Sequence, residues 1–282
     1  MARPLRVEYP HALYHVTSRG NGKRRIFLDD TDRIVWLRTL EKAIAAQNLI
    51  VHAYCLMDNH FHLLVETPEA NLAKGMHYLN AAYTQQFNTR HERVGHLLQG
   101  RYKAFLIEKE TYFLEVARYI VLNPVRAKLV RSPERWKWSN YKAFIGKAPM
   151  PEFISFKETF RYFDKNLSRG KEKYVQFVRE GIRGESPFTE VQHKFILGSP
   201  QFVSEIWERT SGKESEKEHV RAVRFVGRPS LKDLFKGIRT KKRRDDMIRF
   251  ARYRCGYALI DIAKHAKMSY SSVGKIAKNT KF

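Results

Sequence analysis

The 282-residue chain is 43% hydrophobic and 13% aromatic, enough apolar matter for a packed core and against wholesale disorder. Lys and Arg number 53 against 29 Asp and Glu, and the net charge of +24 points to a polyanionic partner, nucleic acid before an anionic membrane surface. No run approaches the ~18 apolar residues of a membrane span, no signal-peptide core is visible in 1–10, and two cysteines, Cys55 and Cys255, cannot build a disulfide framework or a cysteine zinc site. A reduced, cytoplasmic and nucleoid-associated protein with no membrane partner is expected.

In chain order, ALYHVTS (12–18) alternates and predicts a strand that ends at Gly20-Asn21-Gly22. Asp29 and Asp30 can cap a helix whose apolar positions are Ile34, Leu37, Leu40 and Ile44. Strands over 49–56 and 60–66 flank a turn at Met57-Asp58-Asn59 and read as a hairpin. A helix over 72–87, a strand over 102–107 and a helix over 111–122, ending before Pro124, complete the order β-α-β-β-α-β-α. This order predicts an α+β fold, a ferredoxin-like split βαβ antiparallel sheet with helices on one face, followed by an all-α C-terminal part. Domains are expected over 1–147 and 216–282. Between them, 148–215 reads as a helical middle region whose aromatics suit a core, with SGKESEK (211–217) as linker.

The segment MDNHFHLLVE (57–66) places His60 and His62 two apart on a strand, so both imidazoles leave one face while Phe61 and Leu63 enter the other. Such a pair suits either a divalent ion or a solvated sheet face. On the 111–122 helix, Phe113, Val116, Ala117 and Ile120 form the apolar stripe. Tyr119 lies off that stripe, with Asn123 one turn later and Tyr112 two turns earlier on its side. A phenol, with a free pKa of ~10, becomes a useful nucleophile beside a metal that polarises a phosphate. Tyr119 alone also suits a half-buried core aromatic.

His60-Phe61-His62 together with YIVLNPVRAKLV (119–130) resembles the single-tyrosine His-hydrophobic-His (HUH) transposases, in particular the REP-associated tyrosine transposases. The resemblance covers about 5–145, including YHVTSRGN, HLLQGRYKAF and WKWSNYKAF. It implies His60 and His62 as ligands of Mg2+ or Mn2+, with Asn123 where relatives place a polar ligand, and Tyr119 as nucleophile. The implied reaction nicks and rejoins single-stranded, hairpin-flanked DNA through a 5′-phosphotyrosine, with no nucleotide cofactor. Relatives work as homodimers or as monomers.

Two clusters suit DNA contacts: Arg19, Lys23, Arg24 and Arg25, and Gln99, Arg101, Tyr102 and Lys103. Each also suits a solvated face. Arg126 suits a phosphate contact or a cap of the domain, and the structural role is expected. Near the C-terminus, 241–254 holds seven Lys or Arg, and GYALIDIAKHAKMSYSSVGKIAKN follows. Leu259, Ile262 and Ala263 suit a first short helix, Lys267 and Met268 a turn, and Ser269 the N-cap of a second helix carrying Val273 and Ile276. This resembles the helix-turn-helix of the replication initiator DnaA, and it implies that Tyr270, Ser271, Ser272 and Lys275 face duplex DNA. The alternatives to a strand transferase are a non-catalytic DNA-binding regulator and, third, an RNA binder.

Overall fold

The protein is described by a computed structural model over residues 7–191, 195–211, 229–238, 240–253, 255, 257 and 259–278. The linker expected at 211–217 lies, beyond Ser211, outside the described residues. The chain divides into two units, Val7–Ser199 and Pro200–Phe282.

In the first unit the strands β1 (Ala12–Arg19), β2 (Ile50–Leu56), β3 (His60–Thr67), β4 (Lys103–Ile107) and β5 (Ile196–Leu197) form one sheet in the order β2-β3-β1-β4-β5. The first four strands pair antiparallel, as expected. The two-residue β5 adds to the edge in parallel, so the sheet is mixed. Its short apolar sequence carries no alternation by which to recognise it.

The helices are α1 (Asp30–Gln47), α2 (Leu72–Arg90), α3 (Lys109–Arg126), α4 (Tyr141–Phe144), α5 (Lys157–Arg161) and α6 (Leu167–Glu180). They cover both faces of the sheet, which corrects the expectation of one. Phe61 meets Trp36 of α1 at 4.6 Å between ring centroids, and Asn80 of α2 donates to Ser18 at 3.1 Å. On the opposite face Leu13, Ala53, Cys55, Leu64 and Ile107 pack against Phe113, Val116, Ala117 and Ile120 of α3. The strands are apolar on both sides, and two apolar faces require two covers.

Asp29 caps α1 by accepting from the Asp32 amide at 3.0 Å. The buried face of α1 is Trp36, Leu40 and Ala43 rather than the expected Ile34-led stripe, and Ile34 is exposed. Trp36 has the larger area to bury, and Arg33 on the same face pairs with Asp58 at 2.6 Å. α3 runs through Pro124 instead of stopping before it. Proline lacks the N–H that would reach the Ile120 carbonyl, and the Asn123 amide donates there at 3.4 Å and to the Tyr119 carbonyl at 2.9 Å.

The first unit extends well past residue 147. The Phe160 ring lies 5.4 Å from Phe144 and 5.8 Å from Tyr174, so the middle aromatics do build core. WKWSN closes the β2 edge: Trp136 Nε1 donates to the Leu56 carbonyl at 3.1 Å, and the Tyr54 amide donates to Asn140 at 2.9 Å.

The second unit holds α7 (Pro200–Ser211), α8 (Leu231–Leu234), α9 (Lys241–Tyr253), α10 (Leu259–Ala266) and α11 (Tyr270–Lys278). Ile248, Ala251, Ile262, Ala263 and Val273 form the core of its last three helices. Between α10 and α11, Lys267 takes the left-handed conformation, and Ser269 Oγ accepts from the Ser272 amide at 3.1 Å as the expected cap. Among the described residues no helix is long and apolar enough to cross a membrane.

Candidate active site

The site begins at the turn between β2 and β3. Met57 donates to the His60 carbonyl at 2.9 Å, and Asp58 is held by Arg33 at 2.6 Å and Arg25 at 2.9 Å. Gly20 donates to the Asn59 carbonyl at 2.8 Å, and a Cβ on Gly20 would meet the Arg24 carbonyl at 2.0 Å, so only glycine fits this close approach. The start of β3 is therefore fixed against the end of β1, where Arg19 pairs with His60 across the ladder.

His60 and His62 leave β3 on the α3 side, with ring centroids 4.9 Å apart. His60 is half-buried, while His62 is 6% exposed, so the pair does not stand on a solvated face. The Tyr119 ring lies edge-on to His62 at 6.2 Å. The strand and the helix thus bring together the three residues singled out by the sequence. Tyr112 also packs against the core beneath α3.

The tautomer of His60 follows from its neighbours. Asn59 Nδ2 donates to the Lys23 carbonyl at 3.0 Å, which turns its Oδ1 to His60 Nδ1 at 2.7 Å. An amide oxygen accepts only, so Nδ1 of His60 carries the proton and Nε2 keeps its lone pair. His62 Nδ1 lies 2.8 Å from His15 Nε2, and His62 Nε2 is buried without a hydrogen-bond partner. Burial lowers the pKa of all three imidazoles: His60 to about 4, with Arg19 adding; His15 to about 3, with His60 adding; and His62 well below its usual value, with His15 and His60 adding. Neutral imidazoles with unpartnered nitrogens are the form that binds a divalent ion, so the donor set fits one. Asn123 spends its amide nitrogen on α3 carbonyls, and its Oδ1 remains an acceptor.

Two site residues were not singled out by the sequence reading. His15 lies 6.0 Å from Tyr119 and 5.1 Å from His62 between ring centroids. Strand alternation puts it on one face of β1 with Thr17, but only the register that pairs Thr17 with His62 brings that face beside the histidine pair. Phe188, from the short 3-10 helix Pro187–Glu190, lies 5.0 Å from Tyr119, 4.7 Å from His15 and 5.1 Å from Phe105. No periodicity announces a single ring on a helix this short. Arg126 lies over the Tyr119 ring at 5.4 Å and donates to the carbonyls of Gly184 and Glu185, a structural role as expected.

Both basic clusters reach the same end of the sheet. Gln99 donates to the Arg19 carbonyl at 2.8 Å, Asn21 donates to the Leu97 carbonyl at 2.9 Å, and Lys103 pairs with Thr17 on β1. Arg19, Lys23, Arg24, Arg25, Arg101 and Lys103 are exposed, and Gln99 is exposed beside them. Tyr102 is only 8% exposed, which corrects its expected place among the DNA contacts: its ring is taken by the core. In the second unit Tyr270, Ser271 and Lys275 are exposed, whereas Ser272 is half-buried and its hydroxyl lies 2.8 Å from the capping Ser269.

Among the described residues one group of three has metal-ligand spacing: His52, Glu66 and Glu158. Lys109 Nζ lies 2.7 Å from Glu66 and 2.7 Å from Glu158, so an ammonium already bridges the two carboxylates. The group reads as a closed ion network joining β2, β3, α3 and α5.

With this geometry in place, residues 8–123 match the family described as transposase IS200 like, a stretch that contains His15, His60, His62, Tyr119 and Asn123. No curated protein matches the chain. A solved structure described as a REP-associated tyrosine transposase bound to a REP hairpin is similar at 16% identity with a TM-score of 0.47, over 55% of this chain and 92% of that one.

Proposed function

We propose that the protein is a metal-dependent DNA strand transferase that nicks and rejoins single-stranded, hairpin-flanked DNA. The observation that carries the reading is the buried, unpartnered Nε2 of His62, whose ring lies edge-on to Tyr119, with the His60 ring 4.9 Å away. A protein that only binds DNA has no use for two ligand nitrogens held next to a phenol, which weighs against the regulator and RNA-binding readings. The likeness of residues 8–123 to IS200-like transposases supports the same conclusion.

His60 and His62 would hold the ion through Nε2, with Asn123 Oδ1 as a third donor; when bound, it polarises the phosphodiester under attack. Tyr119 Oη forms a bond to phosphorus and gives up its proton to water, the bond from phosphorus to the 3′ oxygen breaks, and the leaving 3′ oxygen takes a proton from water in turn. The products are a 5′-phosphotyrosine and a 3′-OH, and attack by a 3′-OH on that linkage reverses the step on another strand. Arg19, Lys23, Arg24, Arg25, Gln99, Arg101 and Lys103 lead the strand to this end of the sheet by phosphate contacts. In the second unit, Tyr270, Ser271 and Lys275 on α11 present a surface for duplex DNA in the manner of a helix-turn-helix.

The test is incubation of the full chain with a labelled hairpin DNA and Mg2+ or Mn2+, followed by denaturing electrophoresis. The expected product is a covalent protein–DNA adduct that is absent with EDTA. Binding without any adduct, in either metal, would leave the regulator reading in its place.

A further inference from the structure

The role of His15 follows from how its ring meets that of His62. The two planes differ by 3°, the centroids are 5.1 Å apart, and Nε2 of His15 lies 2.8 Å from Nδ1 of His62. A centroid separation so much longer than the nitrogen contact means that the rings lie edge to edge in one plane rather than face to face. The contact is a head-on hydrogen bond. Each ring has one further nitrogen, His15 Nδ1 and His62 Nε2, and both are buried without a hydrogen-bond partner.

Two neutral imidazoles share two N–H groups, and one proton occupies the contact. Either His62 donates from Nδ1, which leaves a lone pair on its Nε2, or His15 donates from Nε2, which places an N–H on His62 Nε2 and blocks it as a ligand. Arg19 sits across the ladder from His60 and puts positive charge at that end of the site, which favours lone pairs there over N–H groups. His60 is already in this form, with Asn59 Oδ1 accepting from its Nδ1. Phe188 and Phe105 lie at 4.7 and 5.9 Å from the His15 ring and hold it in place.

We infer that His15 is a positioning residue for the histidine pair: it accepts the Nδ1 proton of His62 and thereby turns the Nε2 lone pair of His62 to the ion, as Asn59 does for His60. The inference deepens the proposed strand-transferase reading and rests on it for the identity of the bound group, but the hydrogen bond and tautomer are properties of the chain alone. Such outer partners are general at metal-bound histidines, and their loss typically costs ~10–100-fold in metal affinity.

Two measurements on the full chain test it. Ring-nitrogen NMR of the metal-free protein reports the tautomer of His62 directly; Nδ1–H is expected, and Nε2–H would overturn the inference. Mn2+ titration of wild type, His15→Phe and His15→Gln is the second arm. The phenylalanine keeps the ring and removes the acceptor, so affinity should fall about 10–100-fold. Glutamine places an amide oxygen near the position of the imidazole Nε2, so it should recover most of the loss. A role limited to packing predicts the opposite ranking, with His15→Phe near wild type and His15→Gln impaired, and that outcome would overturn the assignment. Should the wild type carry Nδ1–H at His62 yet bind no Mn2+, the metal reading falls while the hold of His15 on His62 is supported.

Discussion

At the scale of single residues the site is defined by which atoms are left without partners. Tyr119→Phe keeps the ring contacts with His62 and Phe188 and removes only the phenolic oxygen. The covalent adduct on hairpin DNA should be lost, while binding measured by fluorescence anisotropy stays within about twofold of wild type. An adduct at wild-type level would shift attention to Tyr112 on the same side of α3. His62→Ala should abolish the adduct as well, but it also carries a structural cost that a surface histidine would not. The change opens space beside α3 and removes the hydrogen bond to His15 Nε2, a buried ring whose other nitrogen already has no partner. Leaving a buried polar group unsatisfied costs about 1–3 kcal/mol, which a urea melt resolves. His60, half-buried and bonded through its Nδ1 to Asn59, should tolerate alanine with a smaller loss of stability and an equal loss of cleavage.

At the scale of elements α3, which holds Tyr119 and Asn123, is anchored at both ends. Its C-terminal turn survives Pro124 through the Asn123 amide on the Ile120 carbonyl. Asn123→Ala should therefore lower stability by about 1 kcal/mol. Adding Pro124→Ala restores an N–H for the same carbonyl, so the double variant should recover its stability in thermal melts but not its cleavage. The N-terminal end is tied by Lys109 to Glu66 and Glu158. Burial raises the Glu66 carboxyl, and the hydrogen bonds and charges of His52 and Lys109 outweigh it, so the group titrates near 2, below the ordinary 4.5. A carboxyl depressed on folding adds stability above its unfolded pKa and loses that contribution as pH falls toward its folded one. Stability should thus decline between pH 4.5 and about 2, and Glu66→Gln should flatten the decline in urea midpoints measured across that window. Phe188 closes the group from a 3-10 helix. Phe188→Ala should cost about 1–2 kcal/mol, less than a fully buried ring, and should change cleavage more than DNA affinity.

At the scale of the whole molecule the boundary at Ser199 governs which pieces can stand alone. Residues 148–199 supply Phe188 to the tyrosine, β5 to the sheet edge and α5 and α6 to the core around Phe144. A fragment ending at residue 199 should fold and cleave a short hairpin. One ending at 147 would expose the core around Phe144 and the β4 edge, and should aggregate; size-exclusion chromatography with circular dichroism separates the two cases. Removing the second unit also removes α9, with its Lys241 and Arg243 side chains exposed. Binding of the shorter chain to long duplex DNA should weaken and its salt dependence should flatten, by ~0.9 in slope for each phosphate that the second unit neutralises. An unchanged slope would assign the C-terminal helices a role other than DNA binding.

The sequence by itself determined the strand and helix order through β4 and α3, the shared face of His60 and His62, and the place of Tyr119 off the apolar stripe of its helix. Those features follow from periods of 2 and 3.6 residues along a local stretch of chain. It also determined the Ser269 cap and the short helix pair around it, because capping is local chemistry. Tertiary structure decided the rest. That α3 covers the face opposite α1 and α2 depends on both sides of an apolar sheet needing cover. That Tyr102 is buried, and that His15 lies in the plane of His62, depends on the pairing of β1 with β3 and β4, a register set between strands far apart in the chain. Phe188 reaches Tyr119 from a distant part of the chain on a four-residue 3-10 helix too short to show a period, and only the folded chain brings that ring to the site.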